Sequence, residues 1–388
     1  MDRLRNPYSP GAGTPPPALV GRDRHLEDMD VALRRLLTGR SAKSMMLTGL
    51  RGVGKTVLLI EFGRRALDLG YVHEHVEAQD GTRIAPVVAD VIRKILLRLN
   101  AIRRYQEHTR HALGILKAFS LQLPGGTRIR IDVEPVSGPA DSGDLGSDLA
   151  GLFSEVGRLA RQHSTGVLLT IDEIQYLSPE DFGALMVGLH RVAQMGLPFT
   201  VAGAGLPSLP GLSGEAKSYS ERMFDFPLID SLPQTFASDA LAKPAEDEGV
   251  RWEPKALHKV VDLTQGYPYF LQEFGKQSWD IAPGPNVVTL DDVESSIPLA
   301  MAELDSGFFR VRVDKTTEKE REYLLAMARL GAGPYQSADV AAALGKKTAQ
   351  LGPVRDSLIK RGLCYAPRWG QLAFTVPMFD EFLRRWFD

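Results

Sequence analysis

The stretch GLRGVGKT, Gly49 to Thr56, constrains this 388-residue chain more than any other. Glycines at 49, 52 and 54 let the backbone curl without Cβ clashes, and a lysine and a hydroxyl residue close the turn. The stretch stands between the apolar run SMMLTG and the helical pattern KTVLLIEFGRRALDLG, which stops at Gly70. A strand that passes through such a loop into a helix aims the loop N–H groups and the positive helix end at one point, which suits a phosphate. Gly-x-x-x-x-Gly-Lys-Thr is the full phosphate-loop pattern. Lys55 is expected to reach the β- and γ-phosphates of a nucleoside triphosphate, and the Thr56 hydroxyl a Mg2+ ion. Gly49, Gly52, Val53, Gly54, Lys55, Thr56 and Val57 are the expected nucleotide contacts.

A second motif, VLLTIDEIQ, ends an apolar run in Asp172 and Glu173. A buried strand there would deliver both carboxylates at its carboxyl end, beside the phosphate loop. Asp172 would hold Mg2+ through water and Glu173 would polarise the attacking water. Together the motifs predict a nucleoside triphosphate with Mg2+, and an acid placed for hydrolysis.

Further runs, YVHEHVEA and LPFTVAGAG, read as strands, separated by amphipathic helical patterns such as DLAGLFSEVGRLARQH and PEDFGALMVGLHRVAQMG. The alternation predicts an α/β fold, a parallel sheet sandwiched by helices. After about Pro233 the strand patterns stop and helical ones run to about Val311. From Lys315 the order helix, helix, helix, then two β-like runs around Arg368-Trp369-Gly370 outlines a winged helix. The net charge of −2 sets up no global field toward nucleic acid, although Lys315 to Asp388 carry +4. The single cysteine, Cys364, excludes an internal disulfide and a cysteine-built zinc site and favours a reducing, cytoplasmic setting. No apolar run approaches the roughly 20 residues of a membrane span, so no membrane partner is expected. The Pro- and Gly-rich start, MDRLRNPYSPGAGTPPPA, reads as an irregular arm, and on composition alone as a disordered tail.

Several segments resemble AAA+ ATPases of the origin-recognition type and their signalling relatives, the STAND ATPases. LVGRDRHL resembles the box before the phosphate loop that lies against adenine, which implies Val20 and Gly21 as contacts. TQGYPYFLQEFG resembles the Gly-x-Pro lid motif, whose proline, Pro268 here, would touch the base. LPFTVAGAGLPSLPGL stands where a sensor strand belongs, and EAKSYSERMFDFPLI resembles the junction that carries an arginine finger, here Arg222. The C-terminal segment from Lys346 looks like the winged helix of such ATPases. The resemblance covers about residues 15–388 and implies an arm (1–18), an ATPase core (19–232), a helical lid (233–313) and a winged-helix domain (314–388), binding ATP and ADP. It departs from the pattern in two places. The sensor strand lacks the usual Asn, with Thr200 the nearest polar residue, and the lid helix offers Pro268, Tyr269 and Gln272 where a sensing arginine belongs. A slow switch fits this better than a fast motor. An arginine finger at Arg222 requires a homo-oligomer; an arginine ending a helix also simply favours the helix dipole.

The output domain admits two partners. Lys346, Lys347, Arg355 and Arg368, clear of an apolar face of Leu351, Val354 and Leu358, would meet the phosphates of duplex DNA. Winged helices also dock proteins, which would make the chain a signalling or defence switch. His73 and His75 share one strand face with no third metal ligand nearby, and His108 and His111 share a helix face beside Arg103, Arg104 and Arg110, which reads as a solvated face rather than a site. TRIRIDVEP, with Arg128 and Arg130 alternating with Ile129, Ile131 and Val133, reads as one arm of a hairpin, either pointed at DNA or a charged edge ribbon.

Overall fold

The structure, a computed structural model, describes all residues except 12, 101–105, 124–131, 217–219 and 388. The expected hairpin with Arg128 and Arg130, and Arg103 and Arg104 of the basic segment, lie outside the described residues. In chain order the elements of the first part are α1 (Asp23–Leu37), β1 (Ser44–Thr48), α2 (Lys55–Asp68), β2 (Val72–Glu77), α3 (Ile84–Asn100), α4 (Gln106–Leu121), α5 (Leu145–Gln162), β3 (Val167–Asp172), α6 (Pro179–Gln194), β4 (Phe199–Gly205), α7 (Leu209–Ala216), α8 (Ser220–Met223) and β5 (Phe224–Asp225). The chain then runs through α9 (Gln234–Asp247), β6 (Arg251–Trp252), α10 (Pro254–Thr264), α11 (Pro268–Ile281), β7 (Val287–Val288), α12 (Leu290–Glu303), a π-helical turn (Leu304–Arg310) and α13 (Val311–Val313). It ends with α14 (Glu318–Arg329), β8 (Tyr335–Gln336), α15 (Ser337–Ala343), α16 (Thr348–Lys360), β9 (Cys364–Tyr365), β10 (Gln371–Phe374) and α17 (Phe379–Phe387). Two compact units result: Arg24–Thr48 with Leu58–Leu228, and Met1–Asp23 with Gly49–Val57 and Ile229–Asp388.

The unit of Arg24–Thr48 and Leu58–Leu228 is built on one five-stranded parallel sheet in the order β2-β3-β4-β1-β5. A parallel sheet is covered on both faces, so its strands are apolar throughout rather than alternating. β1, β3 and β4 are accordingly buried at every residue, while β2, at an edge, is mostly half-buried or exposed. Phe153 of α5 stacks on Phe199 at 4.6 Å, and Phe182, Leu185, Met186 and Leu189 of α6 fill the same core. The stripe expected on α1 is buried as Leu26, Met29, Leu33 and Leu36, with Leu37 turned out.

In the other unit the N-terminal arm is anchored, contrary to the tail expected from its composition. Tyr8 is buried, donates from Oη to the Leu241 carbonyl at 2.5 Å and accepts from Trp252 Nε1 at 2.8 Å. Its ring meets Trp252 and Trp279 edge-on at 6.2 and 6.4 Å. A few aromatic anchors outweigh a Pro/Gly average, because burial acts residue by residue. The helical segment after Pro233 also carries a pair of two-residue parallel strands, β6 and β7, too short for a periodicity to announce. Capping boxes at Thr289/Asp292 and Thr317/Glu320 start α12 and α14. Beyond them, α14, α15 and α16 are joined by a three-stranded antiparallel sheet, β8-β10-β9, and α17 closes over it through Phe379 and Phe382. The sequence reading contained β9 and β10 but neither β8 nor α17. Among the described residues no helix is long and apolar enough to cross a membrane.

Candidate nucleotide site

Between the end of β1 at Thr48 and the start of α2 at Lys55, the loop has the form its glycines require. A Cβ on Gly49 would stand 2.1 Å from the Ile229 carbonyl oxygen, so only glycine fits. Gly52 adopts φ +87°, in the region that favours glycine. Lys55 is buried and donates from Nζ to the carbonyls of Gly49 at 2.9 Å and Leu50 at 2.7 Å. Its ammonium is therefore folded back into the loop, on acceptors that phosphate oxygens can replace. Val53 is buried, and Thr56 and Val57 are half-buried in the first turn of α2.

The acidic pair ends β3. Asp172 is buried, and its Oδ1 accepts the Glu173 amide at 2.8 Å. Glu173 takes a left-handed conformation, φ +50° and ψ +36°, which breaks the strand and redirects its side chain. Gln175 donates from Nε2 to the Glu173 carboxylate and accepts the Leu206 amide on Oε1 at 3.2 Å, tying Glu173 to the end of β4. In the sheet β4 runs between β1 and β3.

The other expected residues are placed as follows. Val20 is half-buried, and Gly21, at φ +70°, backs onto Phe236 of α9. Pro268 is half-buried as the first residue of α11. Thr200 is excluded as a sensing residue. It is the second residue of β4, bonded to Ser44 Oγ at 3.1 Å, five residues from the carboxyl end; at ~3.3 Å per residue that is about 17 Å away. Arg222 is exposed in α8, just before Phe224, which pairs with Ser44, the first residue of β1. It therefore lies at the amino edge of the sheet, opposite the edge where β3 ends in its acids. Lys346, Lys347 and Arg368 are exposed, with Lys346 3.7 Å from Glu322. Arg355 differs: it is half-buried, and its charge acts on buried Cys364 and on Tyr323. Arg361, also in the basic cluster, is used inside the domain, on Glu320 at 3.1 Å and the Lys315 carbonyl at 2.8 Å. His73 and His75 both bond Thr170 Oγ1 at 2.9 Å, and His108 and His111 are exposed. Among the described residues no group of three or more His, Cys, Asp or Glu is arranged to hold a metal.

Sequence reasoning missed three residues that the structure brings to these motifs. Arg22, buried next to the quoted Gly21, donates to the carbonyls of Val53 at 3.1 Å and Asp230 at 2.6 Å and so braces the loop. Burial lowers its pKa, and Asp230 opposes that shift. Gln175, two residues after Glu173, orients the carboxylate. Tyr267, inside the lid motif, packs on Gly52. Each adjoins a recognised motif residue, but only contacts show its role. The loop also touches the C-terminal domain. The Arg51 amide donates to the Thr375 carbonyl at 3.2 Å, and its guanidinium lies where a Cβ on Gly362 would stand.

Residues 18–201 match the family model described as an AAA ATPase domain, and residues 306–383 one described as a domain of unknown function, DUF8462. The comparison with curated proteins returns no significant match. Among solved structures, the Walker-type ATPase paby2304 of Pyrococcus abyssi aligns at 15% identity over 94% of this chain and 96% of that one, with a TM-score of 0.56. The Aeropyrum pernix ORC1 protein in complex with DNA aligns at 15% identity over 95% and 93%, TM-score 0.47. The Thermotoga maritima RuvB Holliday junction branch migration motor aligns at 16% over 94% and 95%, TM-score 0.45. The Pyrococcus likeness establishes the class: a P-loop NTPase-like fold, a five-stranded parallel sheet flanked by helices with a helical C-terminal region. The family match supports an AAA-type ATPase domain in residues 18–201.

Proposed function

We propose that the chain is an ATP-binding, slowly hydrolysing AAA+/STAND-type switch that couples nucleotide state to a C-terminal winged helix, residues 314–388. The observation that carries the reading is the loop itself: Gly49 packed where no side chain fits, Lys55 folded onto carbonyls that phosphate can displace, and Arg51 bonded to Thr375 of the output domain. Loop N–H groups and Lys55 hold the phosphates; Val20, Gly21 and Pro268 serve the base. The oxygen donors Thr56 and Asp172 suit Mg2+, a hard cation that neutralises phosphate charge. Glu173, held by Gln175, polarises water. The lid lacks a sensing arginine at Pro268–Gln272, which supports slow turnover.

The net +4 of residues 315–388 supports duplex DNA as the partner, met through Lys346, Lys347 and Arg368, with Arg355 serving the domain interior. Trp369, wholly exposed at the β9–β10 turn, favours a second reading in which the domain docks a protein.

The test is calorimetric titration of ATP with Mg2+ into wild-type protein and Lys55→Ala. Wild type is expected to bind, and the variant to lose tight binding because the point charge on the phosphates is gone. Equal affinities would overturn the loop assignment.

A further inference from the structure

Tyr267 forms the turn into α11 and is buried, 1% exposed. Its ring edge covers the phosphate loop: a Cβ on Gly52 would stand 3.1 Å from Tyr267 Cε1 and 3.4 Å from Oη. The turn is fixed. The Leu232 amide donates to the Gly266 carbonyl at 2.9 Å, and a Cβ on Gly266 would stand 2.1 Å from the Leu232 carbonyl oxygen. Tyr267 Oη has no hydrogen-bond partner among the described residues. Such an orphan costs free energy in the folded chain, and a bound ligand is one thing that can complete it.

The surroundings carry charges of both signs. Burial, the largest effect, keeps the proton on the phenol oxygen; Arg312 and Arg51 work against it, and Asp230 works with it. Arg312 donates to the Phe308 carbonyl and lies over the Phe308 ring at 4.0 Å. That ring stacks on Tyr269 at 4.5 Å, and Tyr269 Cβ is 3.2 Å from the same position above Gly52. A neutral hydroxyl donor without a partner among the described residues thus stands over Gly52, suited to an anionic acceptor.

We propose that the Tyr267 hydroxyl donates to the terminal phosphate of a bound nucleoside triphosphate. Loop N–H groups cradle the inner phosphates, which leaves the lid hydroxyl for the outermost one. The contact makes Tyr267 a binding residue that separates triphosphate from diphosphate. The proposal rests on the reading of Gly49–Thr56 as a nucleotide site.

The experiment uses the full chain, wild type and Tyr267→Phe, with ATP and ADP titrated in the presence of Mg2+ and melting followed without nucleotide. Phenylalanine keeps the packing and removes only the orphan oxygen. ATP affinity is expected to fall about tenfold, as for loss of a hydrogen bond to a charged group. ADP affinity should stay within about twofold, well inside the effect of losing such a bond. The nucleotide-free variant should melt at the wild-type temperature or above it, because the unpaired hydroxyl is gone. Unchanged ATP affinity, an equal loss for ADP, or a lower melting temperature without nucleotide would each overturn the proposal. The last would mark a hydroxyl that supports the fold. Lys55→Ala separates this failure from that of the underlying reading: wild-type ATP binding that requires Lys55 upholds the loop whatever Tyr267→Phe does. A wild-type chain that binds no ATP overturns both.

Discussion

Glu173 occupies a backbone conformation that a residue with a Cβ adopts at some cost, φ +50°. Its amide returns to Asp172 and its carboxylate is held by Gln175, so the strain is compensated on both sides. That arrangement orients an acid, and it makes a sharp substitution available. Glu173→Gln keeps the shape but cannot polarise water as a carboxylate does. ATP binding should persist while single-turnover hydrolysis drops by about 10²–10⁴, the usual worth of a general base. An unchanged rate would move the base elsewhere. The acidic pair was legible because an apolar run ending in two acids needs no partner to be recognised. Gln175 was not legible, since a glutamine in DEIQ acquires its meaning only from the Leu206 amide on another strand.

Strand register decides two residues that the sequence leaves open. Thr200 sits at the start of β4, bonded to Ser44, and is structural. Arg222 sits at the amino edge of the same sheet, so within one chain it is remote from the acids that end β3. If it serves catalysis, it does so in a neighbouring copy. Mixing Arg222→Ala with Glu173→Gln protein should then restore part of the hydrolysis lost in each, because one interface keeps both groups. No rescue at any ratio, with co-assembly demonstrated, would leave Arg222 as a helix-end charge. A second consequence of register concerns pH. His73 on β2 bonds Thr170 of β3, and burial, helped by the charges of His75 and Arg98, lowers its pKa from 6.5 to about 4. Between about 6.5 and about 4 the unfolded chain carries a proton there that the folded chain refuses. The resulting stability is therefore complete above about 6.5 and is lost as pH falls toward about 4. Urea midpoints measured across this range should decline less steeply for His73→Gln than for wild type; parallel curves would refute the assignment.

For the whole molecule, the C-terminal residues 315–388 set the largest consequence. Their exposed Lys346, Lys347 and Arg368 are few, Arg355 is half-buried beside Asp356, and Arg361 is taken up by Glu320. Three phosphate contacts release counterions with a log–log salt slope of roughly −3, at about −0.9 per phosphate. The ATP-bound full chain should bind duplex DNA weakly with that slope, and charge reversal at Lys346 and Lys347 should flatten it. If the full chain ignores duplex DNA at low salt with or without ATP, the docking reading centred on Trp369 takes its place.

The sequence by itself determined the phosphate loop, the acidic strand end, the alternation that makes the parallel sheet and the stripes on its helices. Each is a short-range pattern, written in the spacing of neighbours along the chain. Tertiary structure alone decided that β4 runs between β1 and β3, that the arm is pinned by Tyr8, that Arg355 is half-buried, that Arg22 and Tyr267 lie against the phosphate loop, and that Gln175 holds Glu173. Those outcomes depend on which carbonyl, amide or ring arrives from a distant part of the chain. Tyr267 is 215 positions from the glycine it covers, and no local periodicity carries information over such a separation.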